Sequence, residues 1–351
     1  MPAVAPARAL IQTEIAPKVP GLSVAVAVAG KLVWSEGFGY ADLATKRPAT
    51  PRTRFRIGSV SKPLASVGLA LLVERGDLDL DTPIQKYIPD FPPKDGMITP
   101  RLLGGHLSGI RNYRGREAAS NQPFASLRAG LKLFESDPLA SAPGSKFHYS
   151  SYNWNTLGVA MEAAAQQEFL TFMDRAVIQP LALANTRPDL AGAPDAERTR
   201  FYETTAAGKF VRAPSVDLSY AWPSGGYLST SEDLVRFGSA LLQPGFLTQS
   251  SRRLLFLPQK TTDGAVTHYG VGWFTGKVAY HGGDSMGGTS ILLLDPGSRV
   301  AVAILTNRGH LAFGSENGRV KLVKLAEPLV FSREKAALQI ARLFGPGLPE
   351  A

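Results

Sequence analysis

The chain has 351 residues, 44% of them apolar, with a formal charge of +9 and no cysteine. That is enough apolar material for a sizeable core, and it excludes disulfides, thiolate metal sites and a cysteine nucleophile. Basic residues do not interleave with aromatics, and the densest stretch, 319–335, mixes them with Leu, Val and two glutamates, so no nucleic-acid interface is expected.

The first residues, to about Pro20, read as a helix interrupted by prolines. A hairpin follows: Ser23 to Ala29 is rich in valine, Gly30-Lys31 turns, and Leu32 to Ser35 returns. Residues 38–42 are expected to leave the sheet. The apolar run Leu22 to Ala29 is too short to span a bilayer, and the N-terminus lacks a basic segment followed by an apolar one. No integral membrane segment is expected, and the chain reads as soluble. It would be periplasmic or otherwise extracytoplasmic if a signal peptide has been removed.

Phe55 to Gly58 is a short approach to Ser59. From Lys62 to Arg75, Leu64, Val67, Leu71 and Leu72 recur at helical spacing, Pro63 suits a first turn, and Gly76 marks the stop. From Arg101 to Leu190 the chain reads as mainly helical. From Gly270, four strands are predicted, at 270–275, 277–280, 289–294 and 300–305, with a closing helix over 332–343. The expected fold class is α/β (α+β): an antiparallel sheet built from both ends of the chain, flanked by helices, with an inserted helical subdomain. The boundaries are 1–80 with 222–351 for the sheet domain and 81–221 for the helical one, the active site lying in the cleft between them.

Ser59-Val60-Ser61-Lys62 is an S-x-x-K element. Residues three apart share a helix face, so Lys62 can bring its amine to the Ser59 hydroxyl. A serine needs such a base to become a nucleophile, and a helix N-terminus favours a developing oxyanion. Ser332 to Lys335 matches the same four-residue pattern, but it opens a polar helix in which Ser332 reads as an N-cap. A second rival is Gly283-Asp284-Ser285-Met286-Gly287, a G-x-S-x-G sequence; a strand-like run follows it where a nucleophile elbow needs a helix.

Downstream of Ser59 come Tyr149-Ser150-Ser151 and then His281-Gly282-Gly283 on a strand. The ordered set S-x-x-K, Y-x-(N/S), (K/H)-x-G resembles the class C β-lactamase group, which includes D-aminopeptidases, carboxypeptidases and β-lactamase-like esterases. Further stretches, among them Gly76 to Asp81, His106 to Arg111, Phe134 to Pro138 and Gly225 to Thr230, look like the mitochondrial serine β-lactamase-like proteins of animals and their bacterial relatives. The likeness runs from residue 20 to residue 310, nearly the whole chain. It implies Ser59 as nucleophile, Lys62 and Tyr149 as the proton-transfer system, and the backbone N–H groups of Ser59 and Asp284 as the oxyanion hole. Lys62 and His281 would lower the tyrosine pKa, and which of Lys62 and Tyr149 takes the first proton is left open. Ser151, His281 and Gly283 would complete the substrate-binding edge.

Ser151 stands where β-lactamases carry asparagine, and His281 where they carry lysine; both changes argue against an efficient β-lactamase. The expected function is a serine hydrolase of peptidase or esterase type, EC class 3, acting on a small-molecule or peptide substrate. The alternative is a scaffold or self-assembling protein with vestigial chemistry; a homo-oligomer is compatible with either. No cofactor is implied. His106, His148, His268 and His310 have no metal-ligand spacing, so no metal is implied either.

Overall fold

The structure is a computed structural model, and it describes residues 2–205, 207–309, 312–316, 319–323 and 332–345. Seven antiparallel strands form the main sheet: β1 (Gly21–Val28), β2 (Lys31–Asp42), β3 (Arg47–Pro48), β4 (Phe274–Thr275), β5 (Ala279–Ser285), β6 (Gly288–Asp295) and β7 (Val300–Thr306). Their order is β3-β2-β1-β7-β6-β5-β4. The first and last parts of the chain meet where β1 pairs with β7, in the register Val24↔Ile304 and Ala25↔Ala303.

Alternate residues of the central strands feed two cores, as the two-residue period requires. Leu22, Val24, Val26, Val302 and Ile304 face helices α1 (Val4–Glu14) and α5 (Arg333–Phe344), with Ile11, Ala337 and Ile340 in the same cluster. Ala25, Ala27, Ala301 and Ala303 face the opposite way, toward α4 (Ser231–Leu241). Their small size lets α4 lie close, at Gly238: a Cβ there would come within 2.4 Å of Leu294. With both faces covered, β1 reads as a nearly continuous buried run rather than an alternating one.

Two further helices carry the site: α2 (Ser61–Arg75) and α3 (Ser151–Ala165). Residues 61–70 of α2 are all buried, which explains why its apolar pattern is not confined to one stripe. It ends where predicted: Gly76 adopts a left-handed φ of 76° and its N–H caps Leu72 and Val73. Leu157 and Trp154 of α3 and Leu292 of β6 belong to one cluster, so the apolar core runs from the sheet into the helical layer.

Three local expectations differ from the structure. Residues 38–42 stay in the sheet, as the end of β2, because β3 pairs with them across a bulge. The strand expected at 270–275 shrinks to two residues: Gly272 has φ 83°, and Gly270 N–H bonds to Trp273 O in a turn. Between residues 105 and 126 there is only a short 3₁₀ turn at 117–119, because Gly109 and Gly115 both take positive φ.

Candidate active site

Ser59 sits in a 3₁₀ turn, Gly58–Val60, that feeds directly into α2. Gly58 and Val60 are buried while Ser59 is partly exposed, so the turn presents its hydroxyl outward. Gly58 has φ 49°, and a Cβ on it would lie 2.8 Å from Asp284 N and 2.7 Å from Asp284 O. The glycine therefore permits the Ser59 turn and strand β5 to touch backbone to backbone. Gly283, one residue earlier, is pressed still harder: a Cβ would fall 1.9 Å from Ile57 O.

Lys62 is fully buried, with Nζ 2.8 Å from Ser59 Oγ, 3.3 Å from Ser151 Oγ and 2.7 Å from Ser224 O. No carboxylate is among these partners, and burial alone drives its pKa well below the lysine norm of 10.5. Three partners suit three N–H donors of an ammonium. They equally suit two donors and one lone pair of a neutral amine, and burial favours the second form.

Tyr149 is partly buried, but its hydroxyl end is enclosed by protein. Its ring lies 5.0 Å from Lys62 Nζ and 4.3 Å, centroid to centroid, from the His106 ring. Burial pushes the phenol above its ordinary pKa of 10, and the Ser59 hydroxyl offsets only part of this. The lowering expected from Lys62 and His281 does not win, because burial is the larger effect. His106 stands at the end of the Pro100–Gly104 helix and accepts, through Nδ1, from Ser150 N–H at 3.2 Å. It thereby holds the backbone beside Tyr149.

His281 is buried on β5, its Nδ1 2.6 Å from Gly282 O and its Nε2 3.1 Å from the Tyr269 hydroxyl. Only a carbonyl faces Nδ1, so Nδ1–H donates there and Nε2 accepts from Tyr269. Burial first, then Lys62, brings its pKa down to about 3. The imidazole is therefore neutral, with both nitrogens occupied by protein groups.

Between pH 6.5 and about 3 the unfolded chain protonates His281 and the folded one does not, so stability is full above 6.5 and is lost as pH falls. In urea unfolding at pH 7.5 and pH 5, wild type is expected to lose more stability than His281→Gln. Equal losses would mean that the folded imidazole protonates freely.

Asp284 is exposed at the strand edge, where Arg333 holds it with Nη1 2.7 Å from Oδ1 and Nη2 2.8 Å from Oδ2. Arg333 Nη1 also donates to Gly283 O at 2.8 Å, so α5 clamps the edge of β5. Ser332, the decoy of the second S-x-x-K, caps that helix by accepting from Lys335 N–H at 3.1 Å. Ser285 lies in a hairpin: β5 ends on it and β6 begins at Gly288, so no helix follows and no nucleophile elbow forms.

Ser59, Tyr113, Ser151, Tyr220, Glu203 and Asp284 line one cavity of about 150 Å³. Tyr149 and His281 stand beside Lys62. A larger groove of about 560 Å³, beside Asp90 and Arg128, contains no nucleophile and base pair. Sequence reasoning missed Ser224, whose part is played by a backbone carbonyl, along with Arg333 and Glu203. Among the described residues no group of His, Asp and Glu is arranged to hold a metal ion, and no helix is long and apolar enough to cross a membrane.

A mixed fold of helices on a large antiparallel sheet, with a lysine buried against a serine at the head of a central helix, defines a β-lactamase and penicillin-binding-protein-like architecture. The chain belongs to the beta-lactamase family, whose model matches residues 7–325. It is 33% identical over 308 residues to the mitochondrial serine beta-lactamase-like protein LACTB of Homo sapiens, covering 67% of this chain and 56% of that protein. The chain thus spans little more than half the length of that relative. Among solved structures, the D-amino acid amidase of Ochrobactrum anthropi SV3 superposes with a TM-score of 0.77 at 24% identity, over 88% of this chain and 91% of that one. EstCE1, a hydrolase with promiscuous acyltransferase activity, also gives 0.77, at 21% identity over 97% and 98%. At these identities the two structures establish the shared fold.

Proposed function

We propose that the protein is a serine hydrolase that cleaves an amide or ester through an acyl-enzyme on Ser59. The observation that carries this reading is the Lys62 amine, 2.8 Å from Ser59 Oγ in a buried setting that disfavours its charge. A neutral amine with its two N–H groups on Ser224 O and Ser151 has its lone pair left for the serine proton. Lys62 is then the first base. Tyr149, kept protonated by burial, is the donor that returns a proton to the leaving group. The Ser59 and Asp284 N–H groups receive the oxyanion, a role supported by the close approach of Gly58 to Asp284 N. Ser151, His281 and Gly283 complete the edge: Ser151 as a hydrogen-bonding partner, His281 as a neutral support of β5, Gly283 as the point of closest approach. The cleft would then divide a sheet unit, 1–80 with 222–351, from the helical unit, 81–221.

The test is intact-protein mass after exposure to a fluorophosphonate, with peptide mapping, on wild type and Ser59→Ala. One adduct on Ser59, absent from the variant, is the expected result. An adduct on Ser285 would move the nucleophile, and none on either serine would favour a scaffold whose chemistry has been lost.

A further inference from the structure

A separate groove, of about 630 Å³, lies beside the hairpin that joins β5 to β6 and does not include Ser59. Phe201 and Ala213 of its lining press on that hairpin: a Cβ on Gly287 would come within 2.5 Å of one and 2.7 Å of the other. Four arginines line the groove, Arg56, Arg198, Arg200 and Arg212, against a single carboxylate, Asp195. That carboxylate is already taken, because Arg54, outside the lining, donates Nε to Oδ2 at 2.9 Å and Nη2 to Oδ1.

The backbone holds the arginines in place. Thr199 N–H donates to Arg54 O at 3.0 Å, Arg200 N–H to Ala41 O at 2.8 Å and Tyr202 N–H to Asn307 O at 3.0 Å. Arg212 stands opposite Tyr202 in the pairing of 202–204 with 210–212. The guanidinium carbons of Arg56 and Arg198 lie 4.1 Å and 5.3 Å from the centre of the Phe201 ring, so one aromatic face orients both.

The four charges are poorly matched. Arg56 and Arg198 share Asp189, with Arg56 Nε 2.6 Å from Oδ2 and Arg198 Nη2 2.8 Å from Oδ1. Arg56 also gives Nη1 to Met286 O at 2.7 Å, which leaves its Nη2 without a hydrogen bond among the described residues, although the residue is only 3% exposed. Burial lowers the Arg198 pKa below the arginine norm, with Asp189 opposing and Arg56 adding to the effect, and an anion in the groove would reverse it. Arg200 Nε is 3.7 Å from Asp42 Oδ2, and Arg212 has no ion-pair partner among the described residues. Planar guanidinium forks with donors to spare match the oxygens of a phosphate group.

We infer that this groove binds a small soluble oxyanion of the phosphate class, a phosphate ester or a pyrophosphate. Arg56 and Arg198, whose side chains are mostly buried, form its floor, and the exposed Arg200 and Arg212 form its rim. A recessed floor suits a ligand that enters the groove and not a flat anionic membrane. The inference is independent of the chemistry at Ser59.

The experiment is calorimetric titration of the full chain with inorganic pyrophosphate in about 0.15 M chloride, where diffuse surface attraction is largely screened. Wild type should bind one equivalent. Arg200→Gln/Arg212→Gln should weaken binding by at least about tenfold, as the loss of two charge-assisted contacts warrants. These two rim residues are chosen because removing Arg56 or Arg198 would strip a partner from buried Asp189. The control is Arg75→Gln/Arg253→Gln, which removes the same charge from exposed positions on other helices and should change the affinity by less than about twofold. Arg198→Lys keeps the charge and loses the fork, and in protein with a wild-type thermal melt it should also bind about tenfold more weakly. No binding by wild type, or equal losses in the two double variants, would overturn the inference, the second because it would reduce the effect to net charge. So would sedimentation with phosphatidylglycerol vesicles that depends on Arg200 and Arg212 while pyrophosphate neither binds nor competes, since the arginines would then serve a membrane surface.

Discussion

Replacing Lys62 by methionine is expected to slow acylation of Ser59 by at least about 10³-fold while leaving the fold in place. The side chain is buried and its charge is already disfavoured there, so an apolar chain of similar length fits the space. What is lost in stability is chiefly a partner for Ser224 O, so the melting temperature should stay within about 5 °C of wild type. Fluorophosphonate labelling rates and a thermal melt measure the two quantities separately. The wild-type pH profile should show an acylation rate that rises with pH, because the amine takes the serine proton only when neutral. The rise should be centred well below the ordinary lysine value of 10.5. A limb centred near 10.5, or a Lys62→Met protein that is labelled at the wild-type rate, would remove lysine as the base.

Tyr149→Phe supplies the contrast. A protonated phenol is needed most by a poor leaving group, so the variant should lose more activity on amides than on activated esters, by about tenfold or more. Equal losses on both would mean that Tyr149 acts at the attack step, as a base, in place of Lys62.

Gly283→Ala is expected to destabilise the protein by at least about 3 kcal/mol. The added methyl would lie 1.9 Å from Ile57 O and 2.3 Å from Ser290 Oγ. One of these is backbone and cannot turn away, and the other donates a hydrogen bond to that same carbonyl at 2.6 Å. Relief therefore requires β5 to move off the turn that carries Ser59. Any folded fraction should also acylate slowly, since Asp284 N is displaced with the strand. Urea unfolding compared with labelling of the folded fraction tests both halves. A variant with wild-type stability would show that strand and turn are not in this contact. Alanine at Gly76 is the control: its φ of 76° is equally unusual, but nothing lies within 4 Å of the added carbon, so it should cost only about 1 kcal/mol of backbone strain.

Much of this was legible in the residues alone. The pairing of Ser59 with Lys62 follows from helical spacing, and the stop of α2 at Gly76 from the one residue type that takes a left-handed φ without cost. Ser332 read as a cap and is one; the runs at 23–29, 289–294 and 300–305 read as strands and lie in strands, except Ala29, which turns with a φ of 49°. The Gly283–Gly287 sequence was rightly denied an elbow, because the strand after it is written in its own residues.

Those features depend on neighbours three or four residues away or on a period of two. Other features depend on packing between parts of the chain that are far apart. Only the folded molecule shows that β2 runs on to Asp42, because its partner β3 is a few residues of unremarkable sequence. Only the fold buries Lys62 away from any carboxylate and buries the Tyr149 hydroxyl enough to raise rather than lower its pKa. Ser224 contributes a carbonyl, which every residue has, so no side chain could have announced it. Glu203 and Arg333 are ordinary charged residues in the sequence; the fold brings one to the cavity beside Ser59 and the other to the edge of β5. Local periodicity thus determined the pairing of Ser59 with Lys62 and the strands of the main sheet. Burial and long-range contact, which a linear pattern does not encode, decided which charges are disfavoured and which side chains meet at the cavity.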